Sequence, residues 1–349
     1  MCRMTVTLSD VAREAGVSLA TASRAINGSS NRTVRPELRD KVLAAAHRLR
    51  YSPDANAQAM ARGRTTALGL VVHDIADPYF SMIVSGVTAA AERAGLMVTL
   101  ASTDRDPERE LAFVDLMQRQ RARAIIVAGG RTDDADANTT LADALAEYSS
   151  HGGGVAVVGQ ALLGVDTVTI ENEASTSELA TKLHGLGYRR FAILAGPQGH
   201  LTARARFNGF RDGLAALGVT IDDARVVHCA FTRDGGFEGM SELVSRGLIS
   251  AGGAGPVDAV FAVNDVMAVG AMAAARAAGL SVPGDVGIAG FDDIITLRDI
   301  TPSLTTIRLP LADIGALVTE LALSPARAEP RIVPVDGEVI VRDSTPRRG

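Results

Sequence analysis

The chain has 349 residues, 47% of them hydrophobic and 21% charged, the balance of a globular protein with two or three domains. No apolar run reaches the length of a membrane span, the N-terminal MCRMTVTLSDVAREAG lacks a secretory pattern, and two cysteines, Cys2 and Cys229, make no disulfide framework, so a cytoplasmic protein without a membrane partner is expected. The net charge of −5 is divided unevenly: residues 1–65 hold 11 Lys and Arg against 5 Asp and Glu, and residues 66–349 hold 24 against 35. A small basic head on an acidic body suggests a polyanion-binding module joined to something else.

Three short helices are predicted in the head. The first opens at Thr7, with Asp10 three residues on in a capping-box pattern, and Gly16 is placed to end it. The second has Ser18 as N-cap and runs to about Ile26, burying Ala22 and Ile26. Asn27 and Gly28 stop it. The third starts near Pro36, a favoured first helical residue, and covers the other two with Val42, Leu43, Ala46 and Leu49. Two helices joined by so short a turn make a helix-turn-helix, whose second helix enters the DNA major groove. Leu19, Ala20, Thr21, Ser23 and Arg24 are its outward residues. Arg24 is the best base reader, since a guanidinium can bond guanine O6 and N7 together. The plainer reading of Arg24 is a solvated surface arginine. Residues 51–66, YSPDANAQAMARGRTT, carry a short helix over Ala55–Ala61, too short to be stable alone.

TLSDVAREAGVSLATASRAIN (7–27) and YSPDANAQAMARG (51–63) resemble the LacI/GalR family of bacterial transcription regulators. The resemblance implies a helix-turn-helix head over residues 1–50, a hinge helix and linker over 51–65, and an effector-binding, dimerising core over 66–349. By that likeness the DNA-contacting residues are Thr7, Ser18, Leu19, Ala20, Thr21, Ser23, Arg24, Asn27, Arg32, Tyr51, Asn56, Ala57 and Met60. Met60 stands where the family places a leucine that wedges into the minor groove. Arg35 replaces the usual Ser or Thr cap of the third helix, and the segment GSSNRT is longer than expected.

After Thr66 short β-rich runs alternate with helical stretches. Strands are predicted at 68–72, 97–101, 124–128, 155–159, 191–195, 226–231, 259–263 and 286–291. Helices are predicted near 79–94, 107–121, 139–150, 174–187, 203–217, 235–247, 265–278 and 310–322. Alternation of this kind argues for an α/β body of two doubly wound parallel sheets, with ligand beyond the carboxyl ends of the strands. The loops after the strands beginning at 68, 191, 226, 259 and 286 are rich in aromatics, Arg, Asn and Asp, which suits a polyhydroxylated ligand. Asp265 is read as a helix cap.

The family likeness continues through DPYFS, GPQGHLTARARFNGFRDGL, AVNDVMAVGAM, SVPGDVGIAGFDD and PSLTTIRLP. It implies a periplasmic-binding-protein-like core of two interlaced lobes, 66–163 with 293–325 and 164–292 with 326–345. Carried over, the effector residues are Asp77, Tyr79, Phe80, Gln160, His200, Thr202, Arg206, Phe231, Asn264 and Asp292. Gly159-Gln160 replaces a frequent Asp-Arg pair.

No catalytic pattern is found. There is no Gly-Lys of a P-loop, no GxSxG elbow, no HExxH, no zinc spacing and no GxGxxG after a first strand. The expectation is therefore not an enzyme but a homodimeric repressor. It would bind pseudo-palindromic operator DNA and be controlled by a small-molecule effector, a sugar before a nucleoside, with no cofactor or metal. The alternative is a solute-binding protein with the same core, against which the basic head and the missing signal sequence argue.

Overall fold

A computed structural model describes residues 6–27, 34–51 and 64–348. Arg32, Asn56, Ala57, Met60 and the expected hinge helix lie outside the described residues. The chain divides into two compact units, Met1–Thr66 and Ala67–Gly349.

In the first unit α1 spans Leu8–Ala15, α2 Leu19–Asn27 and α3 Pro36–Arg48. The capping box is formed: the Asp10 backbone N–H donates to Thr7 Oγ1, and Asp10 Oδ2 accepts from the Thr7 backbone N–H at 3.0 Å. Gly16 ends α1 at φ 65°, a conformation glycine adopts without steric cost. The buried core is small and made of small residues, Val11, Ala12, Ala22, Ala25, Val42 and Ala45. Alanine contacts let three short helices approach closely. Tyr51 packs on the edge of this core.

The second unit contains two parallel sheets. β1 (Ala67–Val72), β2 (Met97–Ser102), β3 (Ala124–Ala128), β4 (Gly154–Val158), β5 (Asp166–Ile170) and β11 (Ile332–Val335) form a six-stranded sheet in the order β11-β5-β4-β3-β1-β2. β6 (Phe191–Leu194), β7 (Val226–Val227), β8 (Ala259–Ala262) and β9 (Gly287–Ala289) form the second, in the order β7-β6-β8-β9. β10 (Thr306–Arg308) and β12 (Glu338–Ile340) make a separate antiparallel ribbon. All five residues of β3 are buried, as in a parallel strand covered on both faces. Between strands run α4 (Pro78–Arg93), α5 (Pro107–Arg119), α6 (Ala135–Ser150), α7 (Asn172–Gly185), α8 (Leu201–Ala216), α9 (Arg233–Ser245), α10 (Asp265–Ala277) and α11 (Leu311–Leu323).

The lobes differ from the expected division. The first lobe does not end at residue 163: β5 hydrogen-bonds to β4, so the chain leaves that lobe only after Ile170. The segment 326–345 does not belong wholly to the second lobe either, because β11 pairs with β5 in the first sheet. Pro334 hid β11 in the sequence. It is tolerated because β11 is an edge strand, where one backbone N–H is not needed for pairing. The expected strand 226–231 shortens to two residues.

Asp265 ties the start of α10 to two later stretches of chain, at Ile294 and Thr306. Its carboxylate accepts from the Ile294 backbone N–H at 3.0 Å and from the Thr306 hydroxyl at 2.6 Å. The cap of α10 is Asn264 and not Asp265, since Asn264 Oδ1 accepts from Met267 N–H at 2.9 Å. Burial pushes the Asp265 carboxyl up, to about 6.

Helices meet through glycine. A Cβ at Gly86 of α4 would lie 1.9 Å from the Ala312 carbonyl oxygen of α11, and one at Gly315 would lie 2.3 Å from the Ile83 carbonyl oxygen. In an open helix Gly→Ala gains about 1 kcal/mol of propensity. Here the obstacle is backbone, which no rotamer change relieves. Gly86→Ala should therefore destabilise the protein by about 1–3 kcal/mol in urea unfolding, the cost of overpacking; a more stable variant would contradict the α4–α11 packing.

Candidate functional site

The carboxyl ends of both sheets face one small cavity. His73, Asp77, Tyr79, Phe80, Arg105 and Gly130 line it from the first lobe, and His200, Thr202, Arg206, Phe231 and Asp292 from the second. Larger hollows lie beside Gly153 and Arg327 and beside Met272 and Ile300, both without a comparable set of buried polar groups.

Arg206 of α8 is the best-held side chain in the cleft. It is 2% exposed. Its Nε donates to Asn172 Oδ1 at 2.8 Å, Nη1 to the Val263 carbonyl at 2.9 Å and Nη2 to Asp292 Oδ1 at 2.9 Å. The guanidinium carbon lies 3.6 Å from the centroid of the Phe291 ring. Asp292 sits at φ 120°, a strained value for a residue with a side chain. Burial pushes its carboxyl up, against the pull of Arg206.

Three helix starts place cleft residues. Asp77 caps α4, its Oδ1 accepting from Tyr79 N–H at 3.0 Å, and burial raises its carboxyl. Tyr79 and Phe80 follow, ring against ring at 5.0 Å, and the Tyr79 phenol is pushed up by burial. His200 caps α8: Nδ1 accepts from Ala203 N–H at 3.2 Å, so the ring proton is on Nε2. Burial holds His200 down, to about 3. Its ring stacks on Phe231 at 4.7 Å, while Thr232 caps α9.

Two expected effector residues are not on the cavity wall. Gln160 works behind it, its Oε1 accepting from Arg131 N–H at 2.7 Å and its Nε2 donating to Thr202 Oγ1 at 2.9 Å. Asn264 is buried in its capping role. Conversely, His73, Arg105 and Gly130 line the cavity but were not among the expected residues. The signal was available: the strand-end rule that selected other loops applies equally to those after β2 and β3, which supply Arg105 and Gly130.

Behind His73 lies a buried ion pair, Arg131 to Glu110, with contacts at 2.9 and 2.8 Å. The lobes also touch directly. Leu201 N–H donates to the Arg131 carbonyl and Asp133 N–H to the Gly199 carbonyl, each at 2.9 Å.

In the first unit, Leu19 is 51% exposed and Ala20 is exposed, opposite the buried Ala22 and Ala25. Thr21, Ser23, Arg24 and Asn27 are partly exposed. Ser18 Oγ accepts from Thr21 N–H at 3.2 Å, and Asn27 Nδ2 donates to Ser23 Oγ at 3.3 Å. Thr7 and Tyr51, expected on DNA, have internal roles in the α1 cap and the head core.

Among the described residues, no cluster of His, Cys, Asp and Glu could hold a metal ion, and no helix is long and apolar enough to cross a membrane.

Residues 7–54 match the bacterial regulatory proteins of the lacI family, and residues 180–345 match the periplasmic binding protein-like domain. The chain is 31% identical over 348 residues to the HTH-type transcriptional regulator DegA of Bacillus subtilis, covering 98% of both chains. It is 33% identical over 340 residues to GalR of Escherichia coli, covering 96% of this chain and 94% of that one. Among solved structures it resembles the lac repressor dimer bound to operator and the anti-inducer ONPF (TM-score 0.80, 25% identity, 98% of this chain and 99% of that one). It also resembles the regulator CelR in complex with cellobiose (TM-score 0.69, 29% identity, 97% and 99%).

A neutral buried His200 has a pH signature. The unfolded chain takes up its proton near pH 6.5, while the folded protein refuses it down to about 3. The stabilisation is therefore complete above pH 6.5 and is lost as pH falls below it. His200→Asn keeps a capping acceptor without the titration. The stability of the native protein relative to this variant should fall by up to about 1.4 kcal/mol per pH unit below pH 6, by urea unfolding. A difference independent of pH would mean that His200 is not held neutral.

Proposed function

The chain belongs to the lacI family of bacterial regulatory proteins and is a DNA-binding transcription regulator with a ligand-binding core; from this premise we propose that it is a homodimeric repressor, controlled by a sugar-class effector in the cleft between its lobes. The observation that carries this reading is the cleft itself. Paired rings (His200 stacked on Phe231, Tyr79 edge-on to Phe80) alternate with Asp77, Thr202, Arg206 and Asp292 at the ends of two parallel sheets. Flat apolar faces beside fixed donors and acceptors suit a ring that carries hydroxyls.

The DNA reading rests on α2. Its exposed face presents Leu19, Ala20, Thr21 and Arg24 while Ala22 and Ala25 anchor it from behind. In this proposal Arg24 reads a base and Leu19 makes apolar contact in the major groove. Two copies would read the two halves of a pseudo-palindrome. Apolar surface suited to a second copy exists in the core. Met97 on edge strand β2 is 76% exposed, with Leu100 and Leu116 also exposed, and Val269, Met272 and Ile300 line a separate groove. The effector acts only through different affinities for two lobe arrangements.

Duplexes selected from a random pool by the purified protein supply the test. Arg24→Ala should lose about 1–3 kcal/mol on the selected duplex and tolerate change at one base pair, by fluorescence anisotropy. An equal loss on unselected DNA would make Arg24 a phosphate contact. Met97→Glu should shift sedimentation from dimer toward monomer; an unchanged dimer would remove β2 from the interface.

A further inference from the structure

The charges bordering the cleft are unevenly matched. Arg206 is answered by Asp292, and Arg131 by Glu110. Arg105 has no carboxylate at ion-pair distance among the described residues, and its Nε–H is buried without an acceptor. Three acidic side chains act on it from farther off, and each is engaged elsewhere. Asp77 caps α4, Asp74 accepts from Ala76 N–H at 2.8 Å, and Asp104 pairs with Arg109 at 2.9 Å. A half-buried guanidinium with no carboxylate at bonding distance and a bare Nε–H is a costly arrangement unless a ligand completes it.

His73 has the opposite want. Its side chain is 3% exposed, and Nε2 faces Glu110 Oε1 at 3.6 Å, which places the ring proton on that side. Nδ1 is buried with no partner. The ring is wedged: Phe80 lies edge-on at 5.5 Å, and a Cβ at Gly129 would come within 2.5 Å of the ring. It cannot turn to hide its bare acceptor. The two residues are also fixed to each other, because the Asp104 backbone N–H donates to the His73 carbonyl at 2.7 Å. Asp104 and Arg105 take left-handed φ values of 54° and 62° in that turn.

We propose that the effector is a sugar acid, whose carboxylate lies against Arg105 while a ring hydroxyl donates to His73 Nδ1. The inference rests on the cleft being a sugar site and goes beyond it. One molecule meets both wants: an anionic acceptor for Arg105 and a neutral donor for His73. Phe231, with the Arg105 guanidinium carbon 5.8 Å from its centroid and His200 stacked on it, supplies apolar surface beside the same space. Asp77, bound through one oxygen only, stands beside them for a further hydroxyl.

The test is calorimetric titration of the full-length protein with D-glucuronate, D-galacturonate, D-glucose, D-galactose and glucose 6-phosphate. A uronate should bind roughly ten- to a hundredfold tighter than its parent hexose, the gain from a charge-assisted hydrogen bond. Arg105→Gln, a change on a partly exposed loop, should erase that preference. His73→Phe should weaken uronate and hexose alike. Equal affinity for acid and hexose, or an Arg105→Gln variant that keeps the preference, overturns the proposal. Tighter binding of the phosphate ester than of either uronate overturns the carboxylate assignment. Hexose binding without uronate binding defeats the sugar acid and leaves the sugar site standing, whereas no binding by any of the five defeats both.

Discussion

The cleft depends on one buried cation. Arg206 is inserted where α8, the end of β8 and the turn after β9 meet, and its hydrogen bonds reach Asn172, Val263 and Asp292. An arginine this deep pays a large desolvation penalty. Three charge-assisted or carbonyl contacts and the face of Phe291 offset it, and together they hold three separate chain segments in register. Removing any one partner leaves charge behind in an apolar surrounding. The second lobe therefore presents its end of the cleft as a rigid surface rather than as independent loops.

How much of this was legible follows from the length and purity of the signal. β1, β3, β4, β6 and β8 are continuous apolar runs, and their positions in the chain match the pattern to within a residue or two. β5, β10, β11 and β12 were missed. They are short, and Asp166, Thr167, Pro334 and Glu338 interrupt their apolar character. They matter because β5 and β11 decide where the lobes divide. Side-chain roles were harder to see than strands. Nothing in the spacing shows that Gln160 turns back to hold Arg131 and Thr202, or that Asp265 grips Ile294 and Thr306 instead of capping its helix. Those are long-range hydrogen bonds, which exist only once distant chain segments are brought together.

The lobes meet through peptide groups as well as side chains. Arg131 and Asp133 bond across to Leu201 and Gly199, and Gln160 reaches Thr202. These contacts join the two lobes directly. A ligand changes the balance between lobe arrangements only by contacts that one arrangement has and the other lacks.

A single local device organises most of the site. In both sheets a strand ends, a polar residue turns the chain, and that residue caps the following helix: Asp77, Asp106, Asp134, His200, Thr232 and Asn264 all do so. Their side chains resemble ligand contacts in the sequence because both roles ask for the same polar atoms at the same strand ends. Capping occupies one acceptor of each, so a cap residue brings at most its remaining atoms to a ligand. Asn264 shows the limit, being wholly committed and buried. Selectivity then falls to groups with no structural partner. Arg105 Nε and His73 Nδ1 are the two such buried side-chain atoms among the described residues, and both residues line the same cavity.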